Sequence, residues 1–222
     1  MKVKDARLIT GHKSGLGKPS KMPGFSTSLP ASLCKVGSRL AEKAGSTCSK
    51  CYALKGNYLY KSVQQGLRAR YDALTHPLWV DAMTMMISRR CTIGHREKGY
   101  FRWHDSGDLQ SLQHFMNIVE VCRRTPGVRH WLPTREVGIL KAHDKAVRDG
   151  SAQPIPGNLT VRVSSFFTGQ KPMKRLPDGV LTSTVSWRDA PAVCPASKQD
   201  NKCGPCRNCW DKAVPNVDYP QH

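Results

Sequence analysis

The residues that could carry chemistry in this chain are cysteines. Cys194, Cys203, Cys206 and Cys209 are spaced C-x8-C-x2-C-x2-C. Two consecutive two-residue gaps let one loop bring several thiolates to one inorganic centre, and this is a spacing used for iron–sulfur clusters. Pro195, Gly204 and Pro205 allow the sharp turns between ligands that such a loop needs. Four thiolates also suit a tetrahedral zinc ion, and paired disulfides are a third reading. The chain has 9 cysteines, an odd number that leaves one unpaired in any disulfide scheme. Its N-terminus, MKVKDARLIT, has no apolar signal region, so a reducing cytoplasm is expected, where cysteines serve metals more often than disulfides.

A second group lies earlier, with Cys34, Cys48 and Cys51, the last two within CSKCYA. Three thiolates would leave one iron of a 4Fe-4S cluster open to an outside ligand, which a closed set of four would not. The alternatives are a zinc held with a histidine, or a single site drawing on both groups. Cys91 and Cys122 fall on the apolar faces of helical repeats (Trp79, Met83, Ile87, Cys91; Leu112, Phe115, Val119, Cys122) and are read as core.

The elements that must hold these groups can be read from hydrophobic period. Short apolar runs at 24–29, 100–104, 128–132, 159–163 and 180–187 predict strands. Helical spacing predicts helices over 63–74, 79–91, 112–122 and 139–147. Strands alternating with helices imply a parallel α/β sheet, here a partial β/α barrel or a curved open sheet, with the working site at the carboxyl ends of the strands. Both cysteine groups follow predicted strands. Arg102, His104, Asp105, Asp108, Thr134, Arg135, Ser164, Ser165 and Trp187 would share that rim. The organisation expected is a basic arm over 1–23, read as loop or loosely attached strand, a β/α body over 24–190, and a cysteine-rich metal-binding segment over 191–222.

Net charge is +19, from 35 Lys+Arg against 16 Asp+Glu. Such a chain is drawn to polyanions, and nucleic acid is the partner expected. No apolar run reaches membrane-spanning length, so no membrane partner is expected.

The blocks LPASLC…CSKCYALKGNY, FRWHDSGDL and CPA…NKCGPCRNCWD together resemble the phage gene-product-eighty-eight family, which is similar in turn to radical-SAM proteins. The resemblance implies a partial β/α barrel and cluster-binding roles for Cys34, Cys48 and Cys51. It also implies contact of Ser106, Gly107 and Asp108 with S-adenosylmethionine. The first cysteine gap is 13 residues, where radical-SAM enzymes have three. His104, Asp105 and Asp108 would position substrate or move protons. The function expected is an iron–sulfur protein on a radical-SAM-like scaffold, in the host cytoplasm if phage-encoded, acting in redox or radical chemistry on or near nucleic acid. The alternative is a non-enzymatic nucleic-acid-binding or regulatory protein stabilised by an iron–sulfur or zinc centre.

Overall fold

A computed structural model describes residues 1–11, 13, 15–92 and 99–221; positions 12 and 14 of the basic arm and 222 at the C-terminus lie outside it. Six strands form one sheet: β1 Phe25–Ser26, β2 Tyr100–Arg102, β3 Arg129–Thr134, β4 Leu159–Ser164, β5 Leu181–Val185 and β6 Asn216–Tyr219. They pair in chain order and every pair is parallel. Parallel pairing needs long crossovers, which α5 (Leu112–Arg124) and α6 (Val137–Arg148) supply on either side of β3. Between β1 and β2 lie α2 (Lys35–Ala41), α3 (Lys61–Asp72) and α4 (Trp79–Ile87).

The pleat divides the sheet into two different faces. Phe25, Phe101, Leu132, Val161 and Val163 project to one side by register and join the main core with Trp79, Met83, Phe115, Ile118 and Leu140 of the helices. Cys91 and Cys122 are wholly buried in that core, as their helical spacing predicts. Tyr100, Arg102, Trp131, Arg162 and Val217 project to the other side. Among the described residues, the buried cluster on this second face takes no residue from an α-helix. The face is covered by the segment that carries the C-terminal cysteines, through Cys209 and Trp210, and by Met22 of the N-terminal arm.

Two expectations are corrected. The arm over 1–23 is neither loop nor strand at its start, because Val3–Ile9 form a helix, α1. The Lys2 amide donates to Asp5 Oδ2 at 3.2 Å, and Ala6 is fully buried against Ala82 and Met86 of α4. Packing on a neighbour supplies what so short a helix lacks alone. The sheet also has a sixth strand beyond the five expected. Asn216–Tyr219 has no β-branched run to announce it; it is held by the parallel ladder to β5 and by Asn216 Nδ2 donating to Thr184 Oγ1 at 2.9 Å. Among the described residues no helix is long and apolar enough to cross a membrane.

Candidate metal centres at the sheet's rim and face

The N-terminal group is assembled by contacts from three strand ends. Cys34 stands just before α2 and is that helix's N-cap residue. Gly37, one turn in, has no side chain, and a Cβ there would stand 3.6 Å from Cys48 Sγ and 3.7 Å from Cys34 Sγ. These two sulfurs therefore face one small cradle. Cys51 closes a turn back to Cys48, its amide donating to the Cys48 carbonyl at 3.1 Å. Burial pushes the Cys34 thiol up to about 12, with Asp108, Cys51 and Cys48 adding to the rise and Arg135 opposing it. Burial raises Cys48 too, again against the pull of Arg135. A guanidinium beside two buried thiols favours whatever anionic form they take.

The residues after β2 and β3 brace this cradle. Asp108 Oδ1 accepts from the Leu109 amide at 2.7 Å and from Thr134 Oγ1 at 2.6 Å, while Oδ2 accepts from the Arg135 amide at 2.8 Å. Burial raises its carboxyl to about 6, against these three donors. Ser106 Oγ donates to the Leu29 carbonyl at 2.9 Å, and the Leu29 amide returns a bond to the Ser106 carbonyl. Gly107 lies against Leu29 at φ +78°, where a Cβ would meet the Leu29 carbonyl oxygen at 2.7 Å. The Ser106–Gly107–Asp108 turn is therefore a clasp that ties the loops after β1, β2 and β3 together. Glu136, buried behind it, accepts from the Val36 amide at 2.8 Å and so pins the start of α2, and with it Cys34. Nothing local to Glu136 announces this role, because its partner lies 100 residues away.

Polar atoms without hydrogen-bond partners collect at the same strand ends. Both ring nitrogens of His104, Asp105 Oδ1, Arg135 Nε and Ser165 Oγ are buried and unpartnered. His104 sits at φ +60°, with its ring 5.2 Å from that of His114. Burial, then His114 and Arg102, holds its imidazole neutral. Buried polar groups are nearly always paired, so water or a ligand completes such atoms here as at Trp131 Nε1, Trp187 Nε1 and Asn216 Oδ1 elsewhere in the fold.

The C-terminal group is built differently. Cys194 donates its amide to the Asp218 carbonyl of β6 at 2.7 Å, and Cys203 to the Lys21 carbonyl at 2.9 Å. The Cys206 amide turns back to the Cys203 carbonyl at 3.1 Å. Cys209 Sγ lies 3.2 Å from Tyr219 Oη. Burial raises Cys209 to about 12, with the Tyr219 hydrogen bond and Arg162 opposing and Cys194 and Cys203 adding to the rise. Cys203 is raised by burial and by Cys194 and Cys206, and Cys194 by burial and by Cys206. Beneath them Arg162, fully buried, donates to five carbonyls, those of Cys209, Thr182, Asn208, Asp211 and Val214, at 2.8–3.2 Å. Trp210 Nε1 donates to the Phe101 carbonyl at 3.0 Å, and its ring meets those of Tyr100 and Trp131 edge-on. Arg102 stacks on Trp131 at 4.6 Å and feels Tyr52 and Asp105 on one side and Tyr219 and Cys209 on the other, so it stands between the two groups.

The seven cysteines singled out by spacing thus fall into two groups, and the two assigned to the core stay there. Among the described residues no three His, Cys, Asp or Glu side chains stand close enough to hold one metal ion.

Fold and site define a parallel α/β protein with two thiol-rich loops, one at the rim of its sheet and one across its face. The chain belongs to the gene product 88 family, whose model matches residues 1–212. No curated protein and no solved structure matches it.

Proposed function

We propose that this is a phage-encoded iron–sulfur protein with two cysteine-held centres on a partial β/α barrel of the radical-SAM kind. Cys34, Cys48 and Cys51 would hold one cluster and Cys194, Cys203, Cys206 and Cys209 the other. The observation that carries the reading is the sorting of thiols: seven gather in two loops beside Arg135, Arg102 and Arg162, while Cys91 and Cys122 lie in apolar core. Cationic side chains beside buried thiols suit centres whose net charge is negative. The consecutive parallel strand order supports the barrel, since it puts the loop after β1 on the same rim as those after β2, β3 and β4. When bound, a 4Fe-4S cluster supplies one-electron chemistry. Three thiols leave an iron for an outside ligand, which S-adenosylmethionine binding requires. His104 and Asp105, with unpartnered polar atoms, are the groups left to meet a substrate.

A second reading has its own support. Ser106 and Asp108 are committed to bonds inside the protein, so the rim has fewer free polar groups than an enzyme of this kind would use. A non-enzymatic, metal-stabilised nucleic-acid-binding or regulatory protein fits that, and the charge of +19 supports a polyanionic partner under both readings.

Anaerobic purification with iron, sulfide and zinc analysis tests the proposal. Brown protein containing iron and sulfide is expected; colourless protein carrying zinc would replace the clusters by structural zinc. An EPR signal of the reduced protein that S-adenosylmethionine leaves unaltered would favour the second reading over the first.

A further inference from the structure

Between Glu42 and Asp72 the chain carries no acidic residue, but it carries Lys43, Lys50, Lys55, Lys61, Arg68 and Arg70. Tyrosines 52, 58, 60 and 71 are interleaved with them. The stretch leaves the N-terminal cysteine group and runs in short 3-10 turns to the start of α3. Lys43, Lys50, Lys55 and Lys61 are exposed. So are the rings of Tyr52 (57%) and Tyr60 (62%), with Leu54 and Leu59 beside them. Phe167 (39% exposed), in the loop after β4, joins the same region, because residues 45–47 run alongside 166–168 through two backbone hydrogen bonds. Five of the nine large exposed apolar side chains among the described residues are therefore on this one part of the rim. Tyr52 is also fixed in place: its hydroxyl donates to the Asp105 carbonyl, and its ring meets that of Tyr58 edge-on at 5.8 Å.

From this juxtaposition we infer that the rim around the N-terminal cysteine group binds a single strand of nucleic acid, with unstacked bases laid on Tyr52, Tyr60 and Phe167 and phosphates met by the lysines between them. The inference rests on the nucleic-acid part of the proposed function and says which form is bound and where. Phosphate attraction alone would be met by lysines and would leave exposed aromatic rings without purpose. A duplex offers no free base face to such rings, whereas a single strand offers one per nucleotide whatever its sequence. Rings alternating with cations are how sequence-tolerant single-strand surfaces are built.

Fluorescence anisotropy with a labelled oligothymidylate, a matching oligouridylate and a duplex of equal phosphate number tests this. The expected result is tighter binding of one or both single strands than of the duplex, weakening as salt rises. Tyr60→Ala should weaken single-strand binding about tenfold and leave duplex binding alone, while Tyr60→Phe, which keeps the ring, should bind as the parent does. Tyr60 is exposed and outside the core, and an unchanged melting temperature in Tyr60→Ala excludes a folding effect. Duplex bound as tightly as single strand, or an indifferent Tyr60→Ala, overturns the inference while the broader nucleic-acid reading stands. No binding to any oligonucleotide at low salt overturns both. Binding to phosphatidylglycerol vesicles in place of single strands would reassign the surface to a membrane.

Discussion

The two cysteine groups use the same side chain in opposite settings. At the rim, the three thiols flank α2, Cys34 before it and Cys48 and Cys51 after it, and that segment is steadied from behind by other loops: Asp108 to Thr134 and Arg135, Ser106 to Leu29, Glu136 to Val36. On the face of the sheet, four thiols come from a segment whose backbone is itself the cover of a sheet surface, fastened by Arg162 and Trp210. The first arrangement leaves exposed aromatic rings beside the thiols. The second places its thiols against Trp131, Trp210, Val217 and Tyr219 and joins them to the fold. A centre meant to meet something from outside needs the first setting, and one meant to hold a fold together or pass electrons needs the second. Under the proposed function, the reactive centre is therefore the one at the rim.

This contrast can be broken in several ways. The largest effect is expected from Arg162→Ala, which strips five buried or partly buried carbonyls of their donor and should cost about 4 kcal/mol. The loss should appear as reduced hydrogen-exchange protection across 203–219 and loss of the C-terminal centre, with the rim centre kept in whatever protein stays folded. Arg162→Lys should not restore it, because an ammonium cannot reproduce the guanidinium fork.

Asp108→Ala is the counterpart at the rim. It leaves the Leu109 and Arg135 amides and the Thr134 hydroxyl unpaired and should cost about 3 kcal/mol. Metal bound by Cys34, Cys48 and Cys51 should fall while that bound by the C-terminal group does not. Equal losses at both centres in either variant would mean that the two regions are not separately supported.

Acid reaches both regions, because buried His114 and His130 lie in the core while His104 and Asp108 stand at the rim. Burial lowers His114 and His130 to about 3 from the usual 6.5. The unfolded chain therefore binds more protons between those values, so stability is full above about pH 6.5 and falls as pH drops toward 3. Each histidine should cost about 2 kcal/mol by about pH 5, and protonation of Asp108, raised to about 6, should return about 1 kcal/mol, so a net loss of about 3 kcal/mol is expected in urea melts. Stability that rises over this window would contradict it.

The smallest effect separates ligand cysteines from core ones. Cys122→Ser puts a hydroxyl into apolar core and should cost about 1 kcal/mol with metal content unchanged. Loss of a centre in that variant would mean that the sorting of thiols is wrong.

Much of this was legible in the chain. Cysteine spacing gave the two groups, and helical period placed Cys91 and Cys122 in the core, because both signals are local. Strands β2 to β5 stood out as apolar runs. What escaped depends on partners distant in sequence. Arg162 reads as the polar member of an alternating strand, which would normally face water; it is buried because a segment some fifty residues later covers that face. Glu136 looks like an ordinary turn residue until the loop it clasps is seen beside it. α1 and β6 escaped because tertiary packing, and not local propensity, holds a seven-residue helix and a four-residue polar strand.

The central claim is that the molecule has two independent cysteine-held centres. Iron and sulfide quantitation on Cys48→Ala and Cys206→Ala, each purified anaerobically beside the parent, tests it most directly. Each variant should lose about one cluster's complement and keep the other's. If either substitution alone removes all iron from protein that remains folded, the thiols form one shared site and the two-centre account is wrong.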